Sequence, residues 1–549
     1  MTAVDDLADR YVEDFASLDP CLAAIMGIAG HDGELTDYSP GGFGARADLA
    51  RRTLAALRTV PAGGDMERVA AGVLRDRLEV EVASAEAGIP DATLNGLDGP
   101  LQRLRTCVEL LDRGPDTPWE DVFARLRGLP AALSGVRVSL DEARRAGRVA
   151  AVRQVVITAR QCEGTTGYLA SLPAAYGDGP QRAGLEEAAR AANQALLDFA
   201  AFLTAELAPD APARDGVGRD RYLLEVRHHL GTRLDLEETY AWGWEELARI
   251  EAEMRATASR ILPGEPLQAV FAALDADPRY RVAGADVFRG HIQDLADRAV
   301  TDLDGSHFDI PGPLRRIECR IPPTGSGGVY YLAPAEDLSR PGTVWWTVPP
   351  GEVPVATWSV PATMFHEGVP GHHLQLGAAV LNPDLNRYQR VCAELHPGHC
   401  EGWALYAERL MAELGFYPDP AHYLGMLAGG QQLRAARIIL DIGMHLELPI
   451  PHGAGFHEGE RWTRDLGVEF LRRHCGPEGD SFVSFEVDRY LGMPGQALAY
   501  KIGERVWVAA REDARRRHGA GFDLKRFHRD ALALGPMGLD RLREELASV

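Results

Sequence analysis

Cysteine is sparse in this chain: there are seven in 549 residues, an odd number, and no two form a C-x-x-C pair. This excludes a cysteine-held zinc module and a disulfide framework, and it leads to the expectation of reduced thiols. Basic charge is also short, with 58 Lys and Arg against 80 Asp and Glu and a net charge of −22. Nucleic acid and anionic membrane surfaces both call for clustered positive charge, so neither is an expected partner. No apolar run reaches the roughly 18 residues that a membrane-spanning helix needs. The opening MTAVDDLADRYVEDF is acidic and amphipathic, whereas a secretory leader is basic and then apolar. Together these absences lead to the expectation of a cytoplasmic protein.

What is present is ordinary in bulk. Apolar residues make up 46% and charged residues 25%, the balance of a globular protein. The length suggests about two to four domains.

The specific feature is Thr363 to Gln375, reading TMFHEGVPGHHLQ. Helical zinc hydrolases hold the metal with two His on one helix face and use a Glu beside the first as general base. Their His residues are four apart. Here His366 is followed by His372 and His373, six and seven residues on. On a regular helix six residues turn the chain by about 600°, and seven advance it by roughly 10 Å. Neither pair could then share one ion at the ~2.0–2.1 Å of a zinc–nitrogen bond. The sequence supplies a break between them. Pro370 has no N–H for the carbonyl of His366 and crowds it, Val369 is pushed from helical angles, and Gly371 is permissive. A bulge of two extra residues would return His372 to the ligand position, with His373 as the alternative.

Apolar residues Val4, Leu7, Tyr11, Phe15 and Leu18 recur at helical spacing, and similar patterns cover Ala45–Val60, Met66–Ala87, Leu101–Leu111 and Val149–Ala208. Residues 1–206 therefore read as a helical scaffold or cover, and Ala208–Gly216 as a linker. Residues 220–549 read as the catalytic region, the two parts packing as one cleft-forming unit. Asp235 with Glu238 opens a long helix there. Between Gly305 and Pro350 the segments Gly327–Leu332 and Thr343–Val348 read as strands that could flank an extended substrate, bringing Tyr330 and Tyr331 to it.

Two His leave zinc short of a protein ligand, and a carboxylate from another helix commonly completes the set. Glu401, at the start of a helical pattern, is the candidate; Glu408 lies seven residues on along the same face, as a supporting or alternative group. Arg434 and Arg437 sit near Asp441 by spacing, which fits an internal ion pair or a clamp for a substrate carboxylate. His445, Tyr490 and Tyr500 are candidate donors to an oxyanion.

Taken together, HEGVPGHHLQ, EGWALYAE, RAARIILDIGMH and RYLGMPGQALAYKIG resemble the bacterial domain-of-unknown-function 885 family, nearly end to end. That family looks like a relative of the HExxH, gluzincin-like zinc metallopeptidases with a third Glu ligand. The resemblance implies a mainly α, large multi-helix fold with a deep cleft and a small β-sheet beside a metallopeptidase-like active site. It implies one Zn²⁺ on His366, a His of the 372–373 pair and Glu401, with Glu367 as base. The expected activity is zinc-dependent hydrolysis of peptide or related amide bonds in short substrates. The alternatives are a non-catalytic metal- or peptide-binding relative and an amide or lactam hydrolase of secondary metabolism.

Overall fold

A computed structural model describes residues 2–60, 63–111, 114–322, 328–348, 354–476 and 479–549. Helix dominates and strand is minor, so the mainly α expectation with a small sheet holds. Among the described residues, no helix is long and apolar enough to cross a membrane.

The chain forms two compact units. The first comprises Met1–Asp215 with Asn386–Tyr388, and the second Gly216–Leu385 with Gln389–Val549. The division falls inside the segment read as a linker. In the first unit the opening helix, Ala3–Leu18, starts with a reciprocal cap between Thr2 and Asp5 and buries Val4, Leu7, Tyr11 and Phe15. Helix Arg182–Phe202 packs against both Trp119–Arg145 and Val152–Tyr176, around Leu126, Leu133, Val155, Leu185 and Phe199.

The second unit holds every candidate site residue. Its long helix, Leu236–Ile261, is capped by the Asp235 carboxylate, which accepts from the Glu238 N–H at 2.9 Å. A three-stranded sheet comprises β1 (Glu318–Arg320), β2 (Val329–Leu332) and β3 (Thr343–Trp346) in the order β1-β3-β2. β1 runs parallel to β3 and β2 antiparallel, with Tyr331 opposite Val344 and Tyr330 opposite Trp345. Among the described residues, β2 is thus an edge strand. Gly327 and Pro350, included in the sequence reading of this region, lie outside the described residues. One face of the sheet shares a core with Phe288, Ile292, Val360, Met364 and Leu376. Val360 and Met364 lie on α1 (Val360–Glu367), and Leu376 on α2 (His372–Leu381). The remaining site helices are α3 (Pro397–Glu413), α4 (Leu433–Leu446), α5 (Asp480–Gly492) and α6 (Ala499–His518).

Candidate metal centre

The HEGVPGHH stretch stops one helix and starts another; it is not a bulge within a continuing one. α1 ends at Glu367, where the Gly368 N–H still donates to the Met364 carbonyl at 2.9 Å. The chain then folds back so closely that a Cβ on Gly371 would lie 1.9 Å from the His366 carbonyl oxygen. Only glycine fits there. The Gly371 N–H donates to Phe365 O at 3.0 Å, and the Pro370 carbonyl accepts from the Trp403 indole at 2.8 Å. That indole, from α3, takes up a carbonyl that a continuing helix would have used, and α2 begins afresh at His372. The break sets the His366 and His372 rings 4.9 Å apart and perpendicular.

Glu401, in the first turns of α3, completes the group. Its Oε2 lies 3.2 Å from His366 Nε2 and 3.5 Å from His372 Nε2. One ligand atom from each of the three residues lies within 4.8 Å of the others. Ligands at ~2.05 Å around a tetrahedral ion are separated by about 3.3 Å, so both distances suit donors sharing one ion. The donor set, two imidazoles and a carboxylate, is that of catalytic zinc sites which keep a fourth position open.

Two turns further along α3, Glu408 reaches the other nitrogen of the same ring. His366 Nδ1 donates to Glu408 Oε1 at 2.8 Å, which fixes the ring and leaves Nε2 facing Glu401. Glu408 Oε2 is buried with no hydrogen-bond partner and packs so tightly on Gly430 that a Cβ there would lie 1.9 Å away. Gly430 belongs to a π-helical turn, Met426–Gln432, that leads into α4. Glycines also set the approach of α6 to α3: a Cβ on Gly402 would fall 2.4 Å from Gly503 Cα. This close crossing brings Tyr500 beside the cluster, its ring stacked on His366 at 6.2 Å.

Three carboxylates, Glu367, Glu401 and Glu408, surround two imidazoles in a largely buried pocket. Burial pushes His366 down, but hydrogen bonds to Glu401 and Glu408 outweigh it and hold the ring protonated up to about 10. Burial pushes Glu401 up, and the His366 and His372 hydrogen bonds outweigh it, leaving the carboxylate well below its usual range. The cluster thus favours positive charge between its carboxylates, a role that a divalent cation fills. Glu367 is buried, which raises its pKa against the opposing charges of His366 and His372, and it accepts no hydrogen bond from a described residue.

The structure sorts the other candidates. His373 points away from the cluster. Its Nε2 donates to Leu314 O at 2.9 Å, its Nδ1 accepts from Tyr331 Oη at 2.9 Å, and burial pushes it down to about 4. It is a neutral brace, and His372 is the residue that joins Glu401. Tyr331 therefore holds His373, although its ring also stacks on His372 at 6.3 Å. Tyr330, its neighbour on the strand, faces the other side of the sheet and stacks on Trp345.

His445 is fully buried, donating from Nε2 to Tyr490 O at 2.9 Å and accepting at Nδ1 from the Val217 N–H at 3.4 Å. It ties backbone segments together and is not directed at the cluster. The Tyr490 hydroxyl donates to Glu486 Oε2 at 2.6 Å and accepts from Arg437 Nε at 2.7 Å. The expected pairing of Arg437 with Asp441 does not form; Arg437 donates to Glu486 on α5 at 2.6 Å. Asp441 accepts instead from the Tyr222 hydroxyl and the Gly495 N–H, both at 2.7 Å. Sequence reasoning missed Arg489, whose Nη2 lies 3.4 Å from Tyr500 Oη, and Trp403; the only signal for them was their place in the RYLGMPGQALAYKIG and EGWALYAE stretches.

The fold and this cluster define a class: a mainly helical protein in which two His and a Glu, His366, His372 and Glu401, converge on one point. The chain belongs to the family described as bacterial protein of unknown function (DUF885), whose pattern matches residues 20–546. No curated protein matches it. Two solved structures share the fold over the full chain. One, titled a "putative lipoprotein" from Colwellia psychrerythraea, is 21% identical with a TM-score of 0.84, covering 100% of this chain and 99% of that one. The other, similarly titled and of unknown function, from Shewanella oneidensis, is 17% identical with a TM-score of 0.72 and 100% coverage of both. Both of these solved proteins are described as lipoproteins, which overturns the cytoplasmic expectation. The cysteine argument behind it also fails physically, because all seven thiols are buried and their scatter carries no information on the surrounding redox conditions.

Proposed function

We propose that this chain is a zinc-dependent hydrolase of peptide or related amide bonds in short substrates. The observation that carries the reading is the convergence of His366, His372 and Glu401, with Glu367 adjacent in sequence to the first of them. When bound, zinc supplies Lewis acidity, which lowers the pKa of water and polarises a carbonyl. Glu367 accepts the proton of the attacking water on its carboxylate and returns it to the leaving nitrogen. Its raised pKa suits both transfers, since the group holds the proton long enough to deliver it. Glu408 keeps His366 in one orientation and tautomer. Tyr500 lines the cluster and offers its hydroxyl to the developing negative charge.

The test is metal analysis of the purified protein, together with digestion of a short-peptide library by the wild type and Glu367→Gln. One zinc per chain and a loss of about 10²–10⁴-fold in turnover on substitution are expected. Equal cleavage by both proteins rejects the mechanism. Bound metal without any Glu367-dependent cleavage identifies a binding protein instead.

A further inference from the structure

Arg434 and Arg437 lie one turn apart on α4, and their guanidinium groups are used differently. Nε and Nη2 form the edge that grips a carboxylate side-on with two parallel hydrogen bonds. In Arg437 this edge is filled: Nε donates to Tyr490 Oη and Nη2 to Glu486 Oε2. In Arg434 the only hydrogen bond among the described residues runs from Nη1, on the opposite side, to the Gly429 carbonyl. Among the described residues, Arg434 Nε is buried without a partner, Nη2 donates to no protein acceptor, and no carboxylate pairs with the group. A half-buried guanidinium with no ion-pair partner among the described residues is unexpected in a chain carrying 80 acidic side chains.

Its position gives this unpaired edge a purpose. The guanidinium carbon lies 5.2 Å from the centre of the Tyr500 ring, which stacks in turn on His366 at 6.2 Å. Its charge also reaches Glu367, where it opposes the effect of burial. An extended peptide spans ~3.3–3.6 Å per residue. A carbonyl at the His366–His372–Glu401 cluster would therefore place a carboxylate one or two residues further along within reach of Arg434.

We infer that the unpaired Nε–Nη2 edge of Arg434 is the anchor for a substrate carboxylate, which makes the substrate class short peptides with a free C-terminal carboxylate close to the reacting bond. This rests on the hydrolase reading for which bond reacts, but the anchor itself is a binding property and is tested without turnover.

The experiment uses the full chain carrying Glu367→Gln, so that peptide is not consumed. Calorimetry compares acetyl-trialanine bearing a free carboxylate with the same peptide as its C-terminal amide. The free acid is expected to bind about tenfold or more tightly than the amide, as for a hydrogen-bonded charge pair. Adding Arg434→Gln should reduce this preference to twofold or less. Arg434→Lys, which keeps the charge and loses the fork, should retain part of it; it also serves if the Gln variant fails a melting check. Equal affinity for both peptides, a preference that survives Arg434→Gln, or no binding of either peptide overturns the inference. The hydrolase reading stands or falls separately, on cleavage by the wild type against Glu367→Gln.

Discussion

Two buried polar clusters lie in the same unit, one around His366 and one around Arg437 and His445, and they are built on opposite plans. Around Arg437, donors face acceptors: the guanidinium meets Glu486 and Tyr490, His445 meets the Tyr490 carbonyl, and Asp441 meets Tyr222 and Gly495. Such a cluster satisfies most of its own polarity, with Arg437 Nη1 and Asp441 Oδ1 left without a hydrogen-bond partner among the described residues, and it ties α4 to α5. Around His366, acceptors face one another: two imidazole nitrogens and a carboxylate converge, with two further carboxylates close by. That cluster holds together only with added positive charge, whether a proton or a cation. Burial and charge are alike in both, and the pairing of donors with acceptors is what separates a brace from a candidate ligand site.

Metal binding offers the sharpest way to break this comparison. His366→Ala or Glu401→Ala should lower zinc affinity well beyond the ~10–100-fold typical of losing a supporting partner. His373→Phe, which alters only the brace, should keep the metal. Zinc titration against a competing chelator reads both, and equal losses would erase the distinction between the adjacent histidines. The second cluster should respond in stability alone. Removing Glu486 with Glu486→Gln strands the Arg437 charge, whose side chain is only 4% exposed, and should cost about 3–5 kcal/mol. Denaturant unfolding measures that loss, and zinc affinity should stay as in the wild type.

Glu408 lies between the two cases and predicts a smaller change. Glu408→Gln keeps the volume beside Gly430 but weakens the grip on His366 Nδ1. A loss of about 10–100-fold in zinc affinity with the fold intact is expected. No change in affinity would mean that the His366 ring is held by packing alone.

The His366–His372–Glu401 cluster was legible because zinc chemistry calls for particular residue types, and because Pro370 and Gly371 announce a break between histidines too far apart for one helix. The form of the break was not legible: a helix stops instead of bulging because Trp403, 33 residues on, takes the Pro370 carbonyl. The choice between His372 and His373 was likewise hidden, since it is made by Tyr331 and Leu314, 42 and 59 residues away. Arg437 misled for the same reason. Local spacing pointed to Asp441, four residues along the helix, while the true partner lies 49 residues on. In the first unit the helix Trp119–Arg145 went unread because it carries Pro130 in its interior. Periodicity thus exposed which surfaces are buried, but not which distant polar group satisfies each buried one.

Asp441 gives the mildest test of the brace. Burial raises its carboxyl to about 7, against hydrogen bonds from Tyr222 and Gly495 that favour the ionised form. In the unfolded chain an aspartate releases its proton near ~3.9. Between about pH 4 and pH 7 the folded protein therefore holds more protons than the unfolded one, and stability falls as pH rises through that window. Asp441→Asn still offers an oxygen to both donors but cannot titrate. Its melting temperature should fall less between pH 5 and pH 8 than that of the wild type, while the two proteins differ least at the acid end. Parallel melting curves across that range would mean that Asp441 stays ionised in the fold, and that its two hydrogen bonds outweigh its burial.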